Sequence, residues 1–527
     1  MFSASIPASP EGFFNRTVEL ARLEGVVDKL ARGVPKWLCL VGPRKVGKTS
    51  LLREVERRVR AKAGAPGFVV VDVFESMPVS LEVFRLIAVQ SVEVLLSRDA
   101  GRSLSAEADV PADWRAALVQ SPRFRALPAA LQTALGELPQ APLEGPSLSA
   151  MLNLPERLAE ALGEHLVIAL DEFQELAALS TAKQAPDVMA VLRSVWQRHR
   201  RTTYVVSGSA RSTLLELATS ERSPFFQHFE VMEVGGFDEA HAVELLVGAS
   251  AEGPHAIAAP LARRVFEVIG GSPFYLQVLG EVLAEEPGRA DARLRAALQR
   301  VLFSETGRLS LYFLNEFQRL VGRATTLAAA LNALAPGPLA LGGVAKAMGA
   351  SPAAAVGYLQ RLGDAVVRDE GGQWRLADPT FALWLQWRQP GGSVLPMKLV
   401  GDEAELAVAQ RLVHLGFELV YQSRGSRGAF DLLATRGARV LAVQVKRSPL
   451  PLRFPKPAWD RMHADGARYG WQWLVAQVEK SGEVRLLDPA KATVSRGVVL
   501  TEVSVLERPL DWLEGPLPGA RRKKSRR

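Results

Sequence analysis

Cysteine is almost absent from this chain of 527 residues, where the only residue of this type is Cys39. A single cysteine excludes an internal disulfide framework and suits a reducing cytoplasm. Because Cys39 lies inside an apolar run, we expect it in the core. No stretch of about 18 consecutive apolar residues occurs, which argues against a membrane-spanning helix. The first residues lack a basic segment followed by an apolar one, so we expect no secretory signal and a cytoplasmic protein.

Positive charge is concentrated at the C-terminal end. The formal net charge is +8, and residues 401–527 alone contain 22 Lys and Arg residues against 14 Asp and Glu residues. Six of these basic residues lie in the closing RRKKSRR. A basic tail is commonly a solvated arm, but concentrated positive charge favours a phosphate partner. We therefore expect the tail, residues 514–527, to contact nucleic acid.

Short apolar runs alternate with helical patterns over the first half of the chain. These runs are KWLCLV, GFVVVDVFE, HLVIALDEF, TTYVVSGSA and FEVMEVGGF. Such alternation predicts an α/β fold, in which helices cover both faces of a parallel sheet. Residues 100–160 carry helical periodicity and several prolines, so we interpret them as a helical insertion. The whole domain is predicted to span residues 1–235.

The rest of the chain divides into further parts. Helical periodicity without a strand signal predicts a helical lid over residues 236–320. Helices followed by the hairpin VVRDEGGQWRLAD, with Gly-Gly at its turn, resemble a winged helix over residues 321–390. The segment QPGGSVLP indicates a linker, placed at residues 391–400. A second, smaller α/β unit is predicted over residues 401–513.

The segment GPRKVGKT follows a strand and opens a helix, as the pattern G-x-x-x-x-G-K-[ST] requires. Glycines allow backbone N–H groups to close around phosphate oxygens, and the helix N-terminus adds its dipole. Lys48 would reach the β- and γ-phosphates, and the Thr49 hydroxyl would hold Mg²⁺. The guanine-recognition pattern N-K-x-D is absent, so we expect ATP. The predicted nucleotide-binding residues are Gly42, Pro43, Arg44, Lys45, Val46, Gly47, Lys48, Thr49 and Ser50.

Two further strand ends complete the predicted nucleotide site. LVIALDEF ends in Asp171, which would hold Mg²⁺ through water, and Glu172, which would polarise the attacking water. YVVSGS places Ser207 and Ser209 at the end of another strand. These two serines would either sense the γ-phosphate or form a turn.

The order of several motifs resembles the archaeal-type ATPase family, which belongs to the STAND clade of AAA+-related P-loop ATPases. The motifs are FFNRTVELARLEGVV, GPRKVGKTS, LVIALDEFQEL, VVSGSARS, RSPFF and GGSPFYL, followed by the winged helix. The resemblance covers about residues 10–388. It implies an adenine contact near Phe13 and Arg16, and a lid contact around Gly271 and Pro273. It also implies that hydrolysis drives a conformational change.

One position departs from this family. Members often carry Gly-Arg after a Ser-Pro-Leu segment, and the arginine serves the γ-phosphate. In this sequence Gln227 and His228 stand at the corresponding place. The resemblance therefore leaves Arg222 or Arg211 as substitutes.

The C-terminal unit begins with EAELAVAQRLVHLGF, which predicts an amphipathic helix. Two acidic residues, Glu403 and Glu405, lie in its first turn, where the helix dipole favours negative charge. The apolar positions that define its face are Leu406, Ala409, Leu412 and Val413.

The segment DLLATRGARVLAVQVKR predicts two strands joined by a hairpin. Asp431 lies on the first strand, and the second strand carries Gln444 and Lys446. Because Gln444 and Lys446 are two residues apart, they project from the same face. We expect both to converge with Asp431 on one point.

The C-terminal unit resembles the restriction-endonuclease-like superfamily, nearest to Mrr-type restriction enzymes and Holliday-junction resolvases. The resemblance lies in the order of its elements: helix, strand, Asp, strand and [D/E/Q]-x-K. The resemblance implies that Asp431, Gln444 and Glu405 bind Mg²⁺ or Mn²⁺. Lys446 would orient the attacking water or stabilise the developing charge. The alternative is a surface strand that ends in lysine, with Asp431 capping a turn.

Aromatic residues among the arginines of this unit allow two roles. We expect Trp471 and Trp473 in the core, whereas Trp459 either packs there or stacks on a base.

Three hypotheses account for the whole chain. In the first, an ATPase switch and a winged helix are coupled to a metal-dependent nuclease that acts on DNA. In the second, a regulatory ATPase carries an inactive C-terminal module that binds DNA or a protein. In the third, the winged helix is a packing module and the tail contacts RNA. All three are compatible with an ATP-dependent oligomer.

Overall fold

The structure is a computed structural model of the full chain. It describes residues 2, 12–73, 80–97, 111–143, 145–181, 187–304, 306–322, 324–388, 393–394, 403–417, 419–422, 429–436, 439–469, 471–494 and 497–513. None of the helices in these ranges is long and apolar enough to cross a membrane.

The chain forms two compact units, which divide it differently from the predicted domains. The first unit contains Met1–Ala249 and Gly271–Gln277, and the second contains Ser250–Gly270 and Val278–Arg527. The predicted lid, residues 236–320, is therefore shared between the two units.

The first unit is built on a five-stranded sheet with the strand order β2-β3-β4-β1-β5, in which every pair is parallel. Its strands are β1 (Trp37–Val41), β2 (Gly67–Asp72), β3 (Leu166–Asp171), β4 (Thr202–Gly208) and β5 (Phe229–Glu233). Its helices are α1 (Thr17–Ala31), α2 (Lys48–Arg60), α3 (Glu82–Leu96), α4 (Pro111–Gln120), α5 (Pro122–Arg125), α6 (Ala129–Glu137), α7 (Gly145–Leu162), α8 (Val188–Trp196), α9 (Arg211–Thr219) and α10 (Glu239–Ser250).

Alternate residues of each strand enter the cores on opposite faces of this sheet, as the strand period of two requires. In β1, Leu38 and Leu40 pack with α1 and α2, whereas Cys39 and Val41 pack on the other face. Burial raises the pKa of the Cys39 thiol to about 12. The predicted parallel α/β fold and the core position of Cys39 are thus confirmed.

Helices dominate the described part of the chain between the first sheet and residue 362. They are α11 (Ala259–Ile269), α12 (Pro273–Glu285), α13 (Ala290–Val301), α14 (Arg308–Val321), α15 (Thr325–Leu334), α16 (Leu341–Met348) and α17 (Pro352–Leu362). The hairpin of β6 (Val366–Arg368) and β7 (Trp374–Leu376) follows, and then α18 (Pro379–Arg388). This order agrees with the pattern that suggested a winged helix, an interpretation that stays a prediction.

The C-terminal part contains a six-stranded sheet with the order β14-β13-β11-β10-β9-β8. The elements are β8 (Ser393–Val394), α19 (Glu403–His414), β9 (Leu419–Gln422), β10 (Leu432–Arg436), β11 (Arg439–Lys446), β12 (Leu452–Phe454), α20 (Lys456–Tyr469), β13 (Gln472–Val478), β14 (Val484–Leu487), β15 (Thr493–Val494), β16 (Val498–Leu500) and α21 (Pro509–Leu513). Strand β8 lies in the predicted linker, whose other residues, like the tail 514–527, fall outside the described ranges.

Helix α19 forms as predicted, and Ala409, Leu412 and the partly buried Val413 pack against the core as expected, but Leu406 does not. Leu406 is 42% exposed, whereas Ala404, Val408, Ala409 and Leu412 are buried against the sheet. The buried face includes Ala404 and Val408 rather than Leu406. The sequence pattern allows either choice, because the small Ala404 marks a buried face less clearly than a leucine does.

Candidate functional site

The loop predicted to bind phosphate lies at the carboxyl edge of the first sheet. It begins after Val41, at the end of β1, and Gly47 caps the N-terminus of α2. A β-carbon on Gly42 would stand 2.2 Å from the Val234 carbonyl oxygen. Because Val234 itself donates a hydrogen bond of 2.8 Å to Val41, this approach is fixed and only glycine fits it.

Lys48 is the first residue of α2 and is 5% exposed. Its ammonium donates hydrogen bonds to the carbonyl oxygens of Gly42, at 2.8 Å, and Pro43, at 2.9 Å. Burial lowers the pKa of the Lys48 ammonium, and the carboxylates of Glu172 and Asp171 act against this shift. The positive charge is therefore held inside the loop, beside two carboxylates.

Asp171 joins the loop helix to the neighbouring strand. The hydroxyl of Thr49 donates to Asp171 Oδ2, and the hydroxyl of Ser207 donates to Asp171 Oδ1. The parallel register of β3 and β4 pairs Leu170 with Val206, which brings Ser207 beside Asp171. Hydroxyl and carboxylate oxygens are the hard ligands that Mg²⁺ prefers, so this group fits that ion.

Glu172 follows β3 with a positive φ of 52°, which is costly for any residue except glycine. Its Oε2 accepts hydrogen bonds from the Ser209 N–H at 3.0 Å and the Ser209 hydroxyl at 2.9 Å. It also accepts one from Gln174 Nε2 at 2.6 Å. The loop residue Arg44 donates to the Ser209 hydroxyl at 3.3 Å. Ser209 therefore connects the phosphate-binding loop to the carboxylate of Glu172.

Arg16, which the resemblance placed near adenine, makes its contacts with other residues of the first unit. It is 7% exposed, and its guanidinium donates to the carbonyl oxygens of Val46, at 2.9 Å, and Gly235, at 2.7 Å. It also lies over the Phe237 ring, 4.7 Å from the centroid, and pairs with Glu19 at 2.9 Å. These contacts join the start of α1 to the loop and to the segment after β5.

The other residues that the resemblance implied lie around the same corner. Phe13 is half-buried and packs against the core under α1 and α2. The Gly271 carbonyl oxygen accepts a hydrogen bond of 2.7 Å from the Phe237 N–H. Pro273 begins α12, two residues later. The backbone near Gly271 is thereby attached to the segment that Arg16 holds.

Gln227 and His228 stand where the family that the sequence resembles often carries Gly-Arg. They lie at the amino-terminal edge of the sheet, opposite the predicted nucleotide site. Gln227 is exposed, and the His228 ring packs against Trp37, the first residue of β1, with centroids 5.2 Å apart. Neither side chain carries a permanent positive charge, so neither replaces an arginine.

The proposed substitutes occupy different places. Arg211 begins α9 at the carboxyl edge of the first sheet and pairs with Glu233 at 2.5 Å. Arg222 is exposed in the segment between α9 and β5.

A second polar cluster lies in the C-terminal sheet. Asp431 directly precedes β10 rather than lying within it, but its N–H donates to the Val443 carbonyl oxygen at 2.9 Å. Asp431 Oδ2 accepts a hydrogen bond from the Gln444 amide and another, of 2.7 Å, from the Val445 N–H. Burial raises the pKa of the Asp431 carboxyl, while the Val445 N–H, Lys446 and Gln444 act against this shift.

Lys446 lies near both Asp431 and the Phe454 ring, with its ammonium 5.9 Å from the ring centroid. Glu405 is half-buried on α19, and Glu403 is exposed, 3.6 Å from Arg447. In the described ranges no group of three or more His, Cys, Asp or Glu residues is placed to hold a metal ion. A metal site here would therefore need the side-chain carbonyl of Gln444 as a ligand. In the structure the NH₂ group of that side chain, and not its carbonyl, points to Asp431.

The tryptophans of this part differ in burial. Trp473 is buried, and so is Trp459, whose ring lies edge-on to Trp473 with centroids 5.2 Å apart. Trp471 is only partly buried. The described structure thus places Trp459 in the core, where it is not available to stack on a base.

The sequence analysis did not single out Gln174, whose amide contacts Glu172. It follows Glu172 by two residues, and its position in DEFQ was the available signal, but the letters alone do not show which way its amide points. Gly208, the last residue of β4, was not singled out either, and a β-carbon there would stand 1.9 Å from Gln174 Oε1.

Comparisons with known proteins agree with the fold of the first unit. Residues 12–185 match the family described as AAA ATPase domain, and residues 130–293 match Novel STAND NTPase 2. No curated protein matches the sequence. The first part of the chain therefore contains a P-loop ATPase domain of the AAA type.

Solved structures are also similar to the chain. The Walker-type ATPase PABY2304 of Pyrococcus abyssi is 18% identical, covering 73% of this chain and 99% of that chain with a TM-score of 0.50. The ORC2 protein of Aeropyrum pernix, solved in ADPNP–ADP complexes, is 13% identical, covering 72% and 95% with a TM-score of 0.44. At 18% identity the first likeness concerns the fold alone.

Proposed function

We propose that the chain binds and hydrolyses ATP with Mg²⁺ and uses the energy for a conformational switch that acts on DNA. The observation that carries this proposal is the hydrogen-bonded group of Thr49, Asp171 and Ser207 beside Lys48 and Glu172. Groups that would bind phosphate, hold a metal ion and polarise water thereby lie together at one edge of one sheet.

The chemistry follows from these positions. Lys48 would exchange its loop carbonyls for the β- and γ-phosphate oxygens, which are stronger acceptors for an ammonium group. Thr49 and Asp171 would hold Mg²⁺, which supplies charge neutralisation at the phosphates. Glu172 would accept a proton from the attacking water through Oε1, because the hydrogen bonds from Ser209 and Gln174 occupy Oε2.

We propose DNA as the partner of the C-terminal part. The net positive charge of this part, its cluster of Asp431, Gln444 and Lys446, and the predicted winged helix that precedes it support this assignment. In the leading form of the proposal, the cluster cleaves phosphodiester bonds with Mg²⁺ or Mn²⁺. Asp431 and the Gln444 carbonyl would bind the metal, and Lys446 would stabilise the developing charge.

A second candidate function is favoured by one observation. The Gln444 amide and the Val445 N–H both donate to Asp431 Oδ2, so the protein itself binds this carboxylate oxygen. In this form the C-terminal domain binds DNA or a protein but cuts nothing, and ATP regulates that binding.

A purified-protein assay separates the two forms. Linear, supercoiled and branched DNA are incubated with Mg²⁺ or Mn²⁺, with and without ATP. If the cluster cleaves DNA, Asp431→Ala and Lys446→Ala each abolish cutting, while Asp460→Asn and Lys456→Ala, at exposed positions on α20, retain it. Gln444→Glu should preserve cutting at lower metal concentration, because it adds a charged ligand.

The two negative outcomes have different meanings. DNA binding without cutting under all these conditions supports the inactive module. Cutting that survives Asp431→Ala shows that the active site lies elsewhere.

A further inference from the structure

Gln174 lies in the short helix Phe173–Thr181 that follows β3, and it is 9% exposed. We infer that Gln174 is a positioning residue, whose amide fixes the Glu172 carboxylate for ATP hydrolysis. The inference rests on the proposed function, because Glu172 must polarise the attacking water. The direct observation is the hydrogen bond of 2.6 Å from Gln174 Nε2 to Glu172 Oε2.

Glu172 needs such support because its backbone conformation alone does not secure the side chain. Ser209, which follows β4, donates two hydrogen bonds to Glu172 Oε2. Gln174, in the helix that directly follows Glu172, donates a third. The carboxylate is thereby held by one oxygen from two directions. A base held within a fraction of an ångström of its productive position is what efficient proton transfer requires.

Gly208 makes this arrangement possible. A β-carbon at position 208 would stand 1.9 Å from Gln174 Oε1 and 2.9 Å from a Leu214 methyl group. Gly208 is the last residue of β4, and it pairs with Val41 at the mouth of the phosphate-binding loop. The Gln174 amide therefore fits only over a residue without a side chain.

The other end of the amide argues against a purely structural role. Gln174 Oε1 is buried, and in the described part of the chain it accepts no hydrogen bond. Leaving a buried acceptor unsatisfied costs free energy that an apolar side chain of similar size would not incur. The donor end of the amide is satisfied, because Nε2 donates to Glu172 Oε2 and, at 3.3 Å, to Glu175 Oε1. Position 174 therefore supplies a donor to the carboxylates at the cost of a buried acceptor, and methionine removes that donor at similar size.

The test compares Gln174→Met with the unaltered protein and with Gln318→Met, a matched change on the exposed face of α14. Binding is followed with a fluorescent ATP analogue, turnover by phosphate release, and folding by thermal denaturation. We expect Gln174→Met to bind the analogue within about threefold of the unaltered protein and to lower kcat by about 10- to 100-fold. Thermal denaturation should show a cooperative transition for Gln174→Met, so that the loss of turnover is not a loss of folding, and Gln318→Met should match the unaltered protein.

Gln174→Glu adds a readout that a structural role would not move. The variant keeps the size of the side chain but replaces the N–H donor with a second carboxylate beside Glu172, so kcat should fall at least as far as in Gln174→Met while binding of the ATP analogue is retained. Gly208→Ala, which displaces the amide without removing it, should also lower kcat.

Normal turnover in Gln174→Met or in Gln174→Glu would overturn this inference alone, provided that Glu172→Gln stops turnover. If Glu172→Gln hydrolyses ATP normally, or the unaltered protein does not hydrolyse it, the proposed function fails and this inference fails with it.

Discussion

Arg16 and Val46 are joined by a hydrogen bond of 2.9 Å, from the guanidinium to a carbonyl oxygen of the phosphate-binding loop. The same guanidinium reaches Gly235 at 2.7 Å, so one buried side chain closes the loop against the segment after β5. If Arg16 shapes the loop, its removal should affect the binding of all nucleotides. If it contacts adenine, its removal should affect ATP selectively.

Arg16→Ala should therefore weaken ATP and GTP binding to the same extent, because it leaves two carbonyl oxygens unsatisfied at a cost of about 1–3 kcal/mol each. Arg16→Lys should not restore binding, since one ammonium does not reproduce the planar two-sided contact. Calorimetric titration with both nucleotides checks this prediction. A selective loss of ATP binding, with GTP binding unchanged, would instead indicate a contact with adenine.

His199 gives the first unit a predicted pH dependence. It is buried, and its ring nitrogens contact the Tyr204 hydroxyl at 2.7 Å and Asn153 Oδ1 at 3.2 Å. Burial lowers the pKa of His199 from 6.5 to about 4. Because the folded pKa is depressed, the unfolded chain binds the proton first, and stability falls as pH decreases from 6.5 to 4.

The loss reaches at most about 3 kcal/mol for this one group. His199→Gln keeps polar atoms near Tyr204 and Asn153 but removes the titration, so its stability should fall less steeply over the same interval. Urea denaturation between pH 7 and pH 4.5 measures both slopes. Equal slopes in the two proteins would show that His199 does not control this dependence.

The basic tail yields a prediction about salt. If RRKKSRR contacts phosphates, truncation after residue 513 removes up to six contacts, and the slope of log K against log salt should decrease by at most about 0.9 per phosphate. The measurement is DNA affinity at several salt concentrations, before and after truncation. An unchanged slope would identify the tail as a solvated arm.

Local patterns predicted the fold of the first unit well, because each depends on neighbours in the sequence. GPRKVGKT lies between a strand and a helix, and the apolar run before Asp171 forms a fully buried strand. Contacts between distant segments were not predictable in the same way. The Arg16–Gly235 contact spans 219 positions, and nothing in either segment specifies it.

Geometry at single residues was also beyond the sequence. The positive φ of Glu172 and the space above Gly208 are produced by packing around them. In the C-terminal sheet, the motif brought Asp431 and Gln444 together as expected, but it did not show that the amide donates to the carboxylate.

The most direct measurement of the central claim is steady-state ATP hydrolysis by Lys48→Ala and Glu172→Gln, with nucleotide binding measured on the same samples. Lys48→Ala should lose ATP binding, because it removes the charge that holds the β- and γ-phosphates. Glu172→Gln should bind ATP normally and hydrolyse it at least about 100-fold more slowly. Lys62→Ala and Glu160→Gln, at exposed positions, should behave as the unaltered protein. Hydrolysis at the unaltered rate in either Lys48→Ala or Glu172→Gln would contradict the account.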